Sequence, residues 1–231
     1  MNSELAQFYG LSDVSGWTEV PVPAERSGGL LTSALVATAH SSLGGTSVIQ
    51  RGHFVREDLL CYSLGSPPPG ATDLNPVLPA DATVRDQINA RGEVDGCSNC
   101  HLQMDPIGIG MEDLDDLGRV RSHYALSGYP VDSEGVAARL LTDIGSNNTE
   151  DFAFSGTAEL GATLAQSPAL TMCAREQWHT FAMGSSELSQ CHAASLGWDA
   201  INDSPRSLFL DLVESDKFML RYDATSSDLG E

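Results

Sequence analysis

Five consecutive residues, Cys97-Ser98-Asn99-Cys100-His101, place two thiols and an imidazole in one short string. Two cysteines at this spacing can add to the two vinyl groups of a haem while the adjacent imidazole reaches the iron, so the string predicts a covalently attached haem c with His101 as its proximal ligand. The same side chains would serve zinc, which requires a fourth ligand, or a plain disulfide. A thioredoxin-like dithiol would need a preceding strand within a βαβ pattern, and the sequence shows none. The motif leaves the distal iron ligand open. Met111, His40, Met183 and His179 are the candidates, because Met104 lies only three residues beyond His101 and stays on the same haem face. A methionine would raise the redox potential relative to a second histidine, and an empty position would admit small ligands or peroxide.

Three cysteines remain. Cys173 and Cys191 fall in neighbouring predicted helices and are expected to form a disulfide, leaving Cys61, after Leu59 and Leu60, to pack as a small apolar side chain. The carboxylates Asp105, Glu112, Asp113, Asp115 and Asp116 follow the haem string closely enough to suggest calcium. Their spacing does not match an EF-hand loop, however, and helix capping together with pairing to Arg119 or Arg121 is the favoured reading. Neither a G-x-S-x-G elbow nor a phosphate-binding P-loop is present.

The elements that must position these groups are mainly helical. Apolar spacing predicts helices over 30–39, 52–64, a short one from Thr83 with Thr83 as its cap, an acidic one over 111–117, and four more over 157–165, 168–181, 186–194 and 205–218. Prolines 67, 68, 69, 76 and 79 predict an extended wrap. Between 119 and 156 the pattern suggests loops and a small hairpin, with Phe152 and Phe154 alternating, interrupted by a short helix over 136–144.

Acidic residues outnumber basic ones 32 to 12 in the 231-residue chain, a formal net charge of −20. That surface repels nucleic-acid phosphates and anionic lipid, which excludes nucleic-acid binding, and it would steer a basic redox partner. No run approaches the roughly 20 apolar residues of a membrane span. The start, Met1-Asn2-Ser3-Glu4, lacks the basic and apolar regions of a secretory signal. Since haem c attachment requires export, the sequence reads as part of a longer precursor, periplasmic or at the cell surface, with further domains upstream.

Several separated segments, in order, carry a resemblance. They are 26–31, 51–55, Leu59-Leu60-Cys61 with the proline run, Cys97-x-x-Cys100-His101-x-x-Met104-Asp105-Pro106-Ile107-Gly108, and Glu112-Asp113-Leu114-Asp115-x-x-Gly118-Arg119-x-Arg121. Together with Phe181-Ala182-Met183-Gly184 and Ser215-Asp216-Lys217-Phe218 they resemble the multidomain cytochrome c-like proteins of unknown function of planctomycetes and myxobacteria. The resemblance implies a mainly α fold: a cytochrome c-like haem-binding segment with long loops over 20–122, a loop or hairpin connection over 123–156, and a helical C-terminal domain over 157–226. Residues 1–19 would be the tail of a preceding domain. The expected activity is electron transfer by an exported haem protein, with Met104, Pro106 and Ile107 orienting the attachment loop. The alternatives are a haem-dependent peroxidase or oxygen-activating enzyme, and a cell-surface structural or interaction module in which a disulfide or zinc takes the place of haem.

Overall fold

A computed structural model describes residues 1–67, 69, 78–79, 81–143, 147–184 and 203–219. The fold is mostly α-helical with two small antiparallel hairpins, and it divides into two compact units, Met1–Ser167 and Pro168–Glu231. Among the described residues no helix is long and apolar enough to cross a membrane.

The first unit opens with α1 (Ser3–Phe8), capped by the Asn2 side chain, and two 3-10 turns, Ala24–Arg26 and Gly29–Thr32. Then come α2 (Ala34–Ala39), a hairpin of β1 (Ser41–Ser42) with β2 (Gly45–Thr46), and α3 (Val48–His53). The single helix expected over 30–39 is thus split at Ser33. Its hydroxyl accepts from the Val36 N–H, a cap that starts a new helix instead of continuing the turn. The helix expected over 52–64 begins earlier, at Val48, and passes into a π-helical turn over Phe54–Leu59.

The helix α4 (Val84–Gly92) begins where Thr83 predicts. Thr83 and Asp86 close a reciprocal capping box, and the side-chain and backbone bonds from Thr83 hold the Asp86 carboxyl below its usual range. The central element is α5 (Ser98–Ile109), which packs against α3, α4 and the hairpin of β3 (Glu134–Leu141) with β4 (Thr149–Ser155). Of the helix expected over 136–144, residues 136–141 are strand. Its alternation places Ala137 and Leu140 in the core on either side of a register shift, with Arg139 in the left-handed region at φ +57°. No helix forms over 111–117. That stretch is a turn closed by a bridge between Leu114 and Val120.

Glycines set how closely α3 and α5 approach. A Cβ at Gly52 would stand 2.0 Å from the Met104 carbonyl oxygen, and one at Gly108 would stand 1.9 Å from that of Val48. Two backbones meet there with no side chain between them. Gly108→Ala is accordingly expected to lower stability by about 1–3 kcal/mol or more, since backbone rather than a flexible side chain must yield. Thermal melts of the variant and of Gly44→Ala, where added bulk meets nothing within 4 Å, provide the comparison. Because Gly44 itself has φ +92°, its own substitution carries only the backbone cost.

The helix α6 (Gly156–Ala165) completes the first unit, packing on the two 3-10 turns and on β4. In the second unit α7 (Pro168–Met183) packs against α8 (Pro205–Glu214), followed by α9 (Asp216–Met219). Leu208 and Leu212 form the core there, with Ala174 against them, and Trp178 meets Phe209 edge-on at 6.2 Å. Pro205 occupies the first turn of α8, where its missing N–H is harmless, behind the Ser204 cap. The helix expected over 186–194 lies outside the described residues.

Candidate functional site

The string 97–101 starts α5. Cys97 stands at the N-cap and is buried, and Cys100 is half-buried with its thiol directed at the Leu64 carbonyl, 3.3 Å away. Both are free thiols. One helical turn beyond His101, Asp105 is fully buried, and its two carboxylate oxygens lie 3.0 and 3.1 Å from His101 Nδ1. From α4, Arg91 Nε donates to the same carboxylate at 3.1 Å. The result is an Arg91–Asp105–His101 chain in which each member satisfies the next, the usual way a buried carboxylate is tolerated.

This arrangement does not fit the predicted cofactors. Among the described residues no three His, Cys, Asp or Glu side chains converge as a metal-binding group, which removes zinc and calcium. The acidic cluster is engaged by protein instead. Asp113 accepts from the Thr157 N–H and hydroxyl, Asp115 pairs with Arg119 at 2.7 Å, and Glu112 pairs with Arg121 at 2.9 Å. The sequence places the cluster against Arg119 or Arg121 without assigning partners, and both arginines are engaged by it.

Protein packs around the string. Met104 and Ile107 are buried where α5 meets its neighbours, and the close approach of α3 fills the face that Gly108 presents. Of the distal candidates, Met111 is 1 % exposed, and its carbonyl is held by Arg51. His40 stacks on Phe54 with ring centroids 4.1 Å apart, and burial lowers its pKa. His179 and Met183 lie on α7, in the second unit. None of Cys97, Cys100 or His101 lines the cleft described below.

The cysteine pairing also differs from expectation. Cys61, read as a packed thiol, is disulfide-bonded, and so is Cys173. Cys191, the partner expected for Cys173, lies outside the described residues. Cys61 follows the π-helical turn with φ +53°, a conformation that L residues adopt only when the surroundings impose it.

Residues 27–124 match the family model PSCyt3, a protein of unknown function (DUF1588). No curated protein and no solved structure matches the chain. The match corrects the resemblance drawn from sequence: it is to a domain of unknown function, and no cytochrome c or haem-binding signature accompanies it. That match, and the absence of a metal-binding group among the described residues, overturn the expected haem c, iron and electron transfer.

The most densely bonded polar centre lies elsewhere in the matched region, around Arg51, and sequence reasoning missed it. Arg51 is 1 % exposed. Its guanidinium donates to the carbonyls of Met111 at 2.6 Å, Leu114 at 2.8 Å and Asp115 at 2.8 Å, and stands 3.6 Å from Glu112. Burial lowers the Arg51 pKa, and the charge of Glu112 opposes that shift. Glu112, also 1 % exposed, accepts from Arg121 and from the Thr46 hydroxyl at 2.8 Å.

Beside this centre opens a cleft of about 710 Å³, walled by the β1–β2 hairpin, the start of α4 and the 112–132 segment. At its rim Arg85 grips Asp132 through two bonds of 2.6 and 2.7 Å, holding that carboxyl below its usual range. Tyr124 sits inside under the Arg121 guanidinium, 4.7 Å from its ring centroid. Burial first, and then the charge of Glu112, raises its phenol pKa.

Proposed function

We propose that this chain is a disulfide-stabilised interaction module acting outside the cytoplasm, with neither haem nor zinc. The observation that carries this reading is the oxidised state of Cys61 and Cys173 beside the free thiols Cys97 and Cys100. Structural disulfides persist in oxidising compartments, and there they replace a metal or cofactor as the staple of a loop-rich fold. Much of the first unit is irregular between short elements, and such a chain gains most from a covalent tie. The buried Arg51 centre supports the same reading, because it joins α3 to the 111–115 turn through side chain and backbone and presents no group free for redox chemistry.

The test is peptide mapping under non-reducing conditions of the chain exported into an oxidising compartment of a host that matures c-type cytochromes. The expected result is a linked Cys61–Cys173 peptide and no haem stain on a denaturing gel. Quantitative alkylation of Cys61 without reductant would overturn the proposal. So would haem staining that survives denaturation and disappears in Cys97→Ala/Cys100→Ala.

A further inference from the structure

We propose that Cys97 and Cys100 form a reversible dithiol–disulfide couple that exchanges with accessible disulfides, with Cys100 as the attacking thiol and Cys97 as the resolving one. This activity goes beyond the interaction module and rests on that reading in one respect, that neither haem nor zinc occupies the string.

The backbone brings the two thiols within reach of each other. Residues 93–97 turn the chain from α4 into α5. The Val94 carbonyl accepts from the N–H groups of Cys97 and Ser98 at 3.0 and 3.1 Å, and the Cys97 carbonyl accepts from those of Cys100 and His101 at 3.2 and 3.1 Å. Cys97 and Cys100 therefore span one helical turn, in which Cα atoms three residues apart stand about 5 Å from each other. A disulfide bridges that separation. A helix, α4, precedes the pair, so its frame is not that of a thioredoxin; a turn between two packed helices presents it instead. The Arg91–Asp105–His101 chain ties the end of α4 to α5, and none of its bonds uses a sulfur atom.

Unequal exposure divides the roles. Cys100 is half-buried, with the exposed Asn99 and Leu102 beside it in the chain, whereas Cys97 is buried. A disulfide arriving from solution meets Cys100 first. Cys100, having released its proton, attacks one sulfur of that disulfide; the S–S bond breaks, and the departing thiolate takes up the proton. Cys97 then attacks the Cys100 sulfur of the mixed disulfide in the same way and expels the second thiol. Two electrons and two protons pass from the pair to the incoming disulfide, leaving Cys97 bonded to Cys100. In the reduced state the Cys100 S–H donates to the Leu64 carbonyl at 3.3 Å, a bond given up on oxidation.

Loop length sets this pair apart from Cys61 and Cys173. A bond within one helical turn closes a loop of only a few residues, restricts the unfolded chain little, and so adds far less to stability than a bond closing a long loop. Disulfides that the fold favours weakly are the ones that exchange opens and closes. The structure accordingly holds Cys97 and Cys100 as thiols while Cys61 and Cys173 are bonded.

The experiment takes the full exported chain, stained for haem, equilibrates it in graded ratios of reduced to oxidised glutathione, and maps the thiols after alkylation. The expected result is no stain and a Cys97–Cys100 bond whose yield rises with oxidised glutathione and falls when the ratio is reversed. In Cys97→Ser the mixed disulfide with glutathione should accumulate on Cys100 at least about tenfold above wild type, because the intramolecular resolving step is gone. Cys100→Ser should leave the buried Cys97 without adduct. A second arm offers insulin, a protein disulfide, to the reduced chain. Exchange with insulin alone assigns a protein source and exchange with glutathione alone a small-molecule source, and either supports the couple. Melting temperatures verify folding of the variants, and the wild-type titrations need no variant. Thiols at 97 and 100 that stay alkylatable against both disulfides in an unstained, folded chain would overturn this proposal alone. A haem stain would overturn it together with the interaction-module reading. A chain whose Cys61 is found reduced but whose pair exchanges as expected would sink the disulfide staple and leave the couple standing.

Discussion

Arg51→Ala is expected to destabilise the first unit by about 3–5 kcal/mol, the usual consequence of removing one partner from a buried ion pair. The arithmetic is local. Three carbonyls, of Met111, Leu114 and Asp115, lose their donor, and Glu112 keeps Arg121 but loses its second cation. Arg51→Lys should recover little, because one ammonium cannot reproduce the planar fork that reaches three carbonyl oxygens. Arg51→Met fills the volume but leaves the carbonyls unmet, so it should fall near alanine. Chemical denaturation followed by circular dichroism gives the midpoints. If Arg51→Ala lies within about 1 kcal/mol of wild type, the centre is not what joins α3 to the 111–115 turn.

That centre explains the limits of reading this chain from its residues. Arginine is seldom fully buried, so a lone Arg51 on a short helix carries no signal of its role, and the carbonyls it bonds belong to a turn 60 residues away. Local chemistry was legible: Thr83 marks the start of α4, Pro205 the first turn of α8, and the acidic cluster pairs with the nearby Arg119 and Arg121, though which carboxylate takes which arginine was not. The hairpin was half legible. Phe152 and Phe154 alternate as a strand should, but Glu134-Gly-Val-Ala-Ala-Arg-Leu-Leu141 is rich in helix formers, and burial against α5 overrides their preference. The cysteine string showed its three side chains plainly. What it could not show is that Asp105, one turn on, is buried and holds His101 together with Arg91. Which cysteines pair is beyond sequence in principle, because connectivity depends on which chain segments the fold brings together.

Cys61→Ser is expected to lower stability by about 4–5 kcal/mol under non-reducing conditions, and the size follows from the loop. The proposed Cys61–Cys173 bond would close about 110 residues, and in the chain-entropy account a loop of that length restricts the unfolded chain by close to 5 kcal/mol. Serine is the right replacement. Cys61 occupies a left-handed conformation at φ +53°, which serine adopts at the same strain, whereas glycine would relieve the strain and mask part of the loss. Reductant is the internal control: wild type in excess dithiothreitol should denature at the midpoint of Cys61→Ser, and the variant should not respond to it. Cys173→Ser should behave as Cys61→Ser does, and the double variant should add nothing further, since two ends of one bond are lost once. Cys97→Ser and Cys100→Ser, made at free thiols, should keep their reductant response. If the two single losses instead add, Cys61 and Cys173 stabilise the chain through separate contacts, and the covalent tie is not what holds the module together.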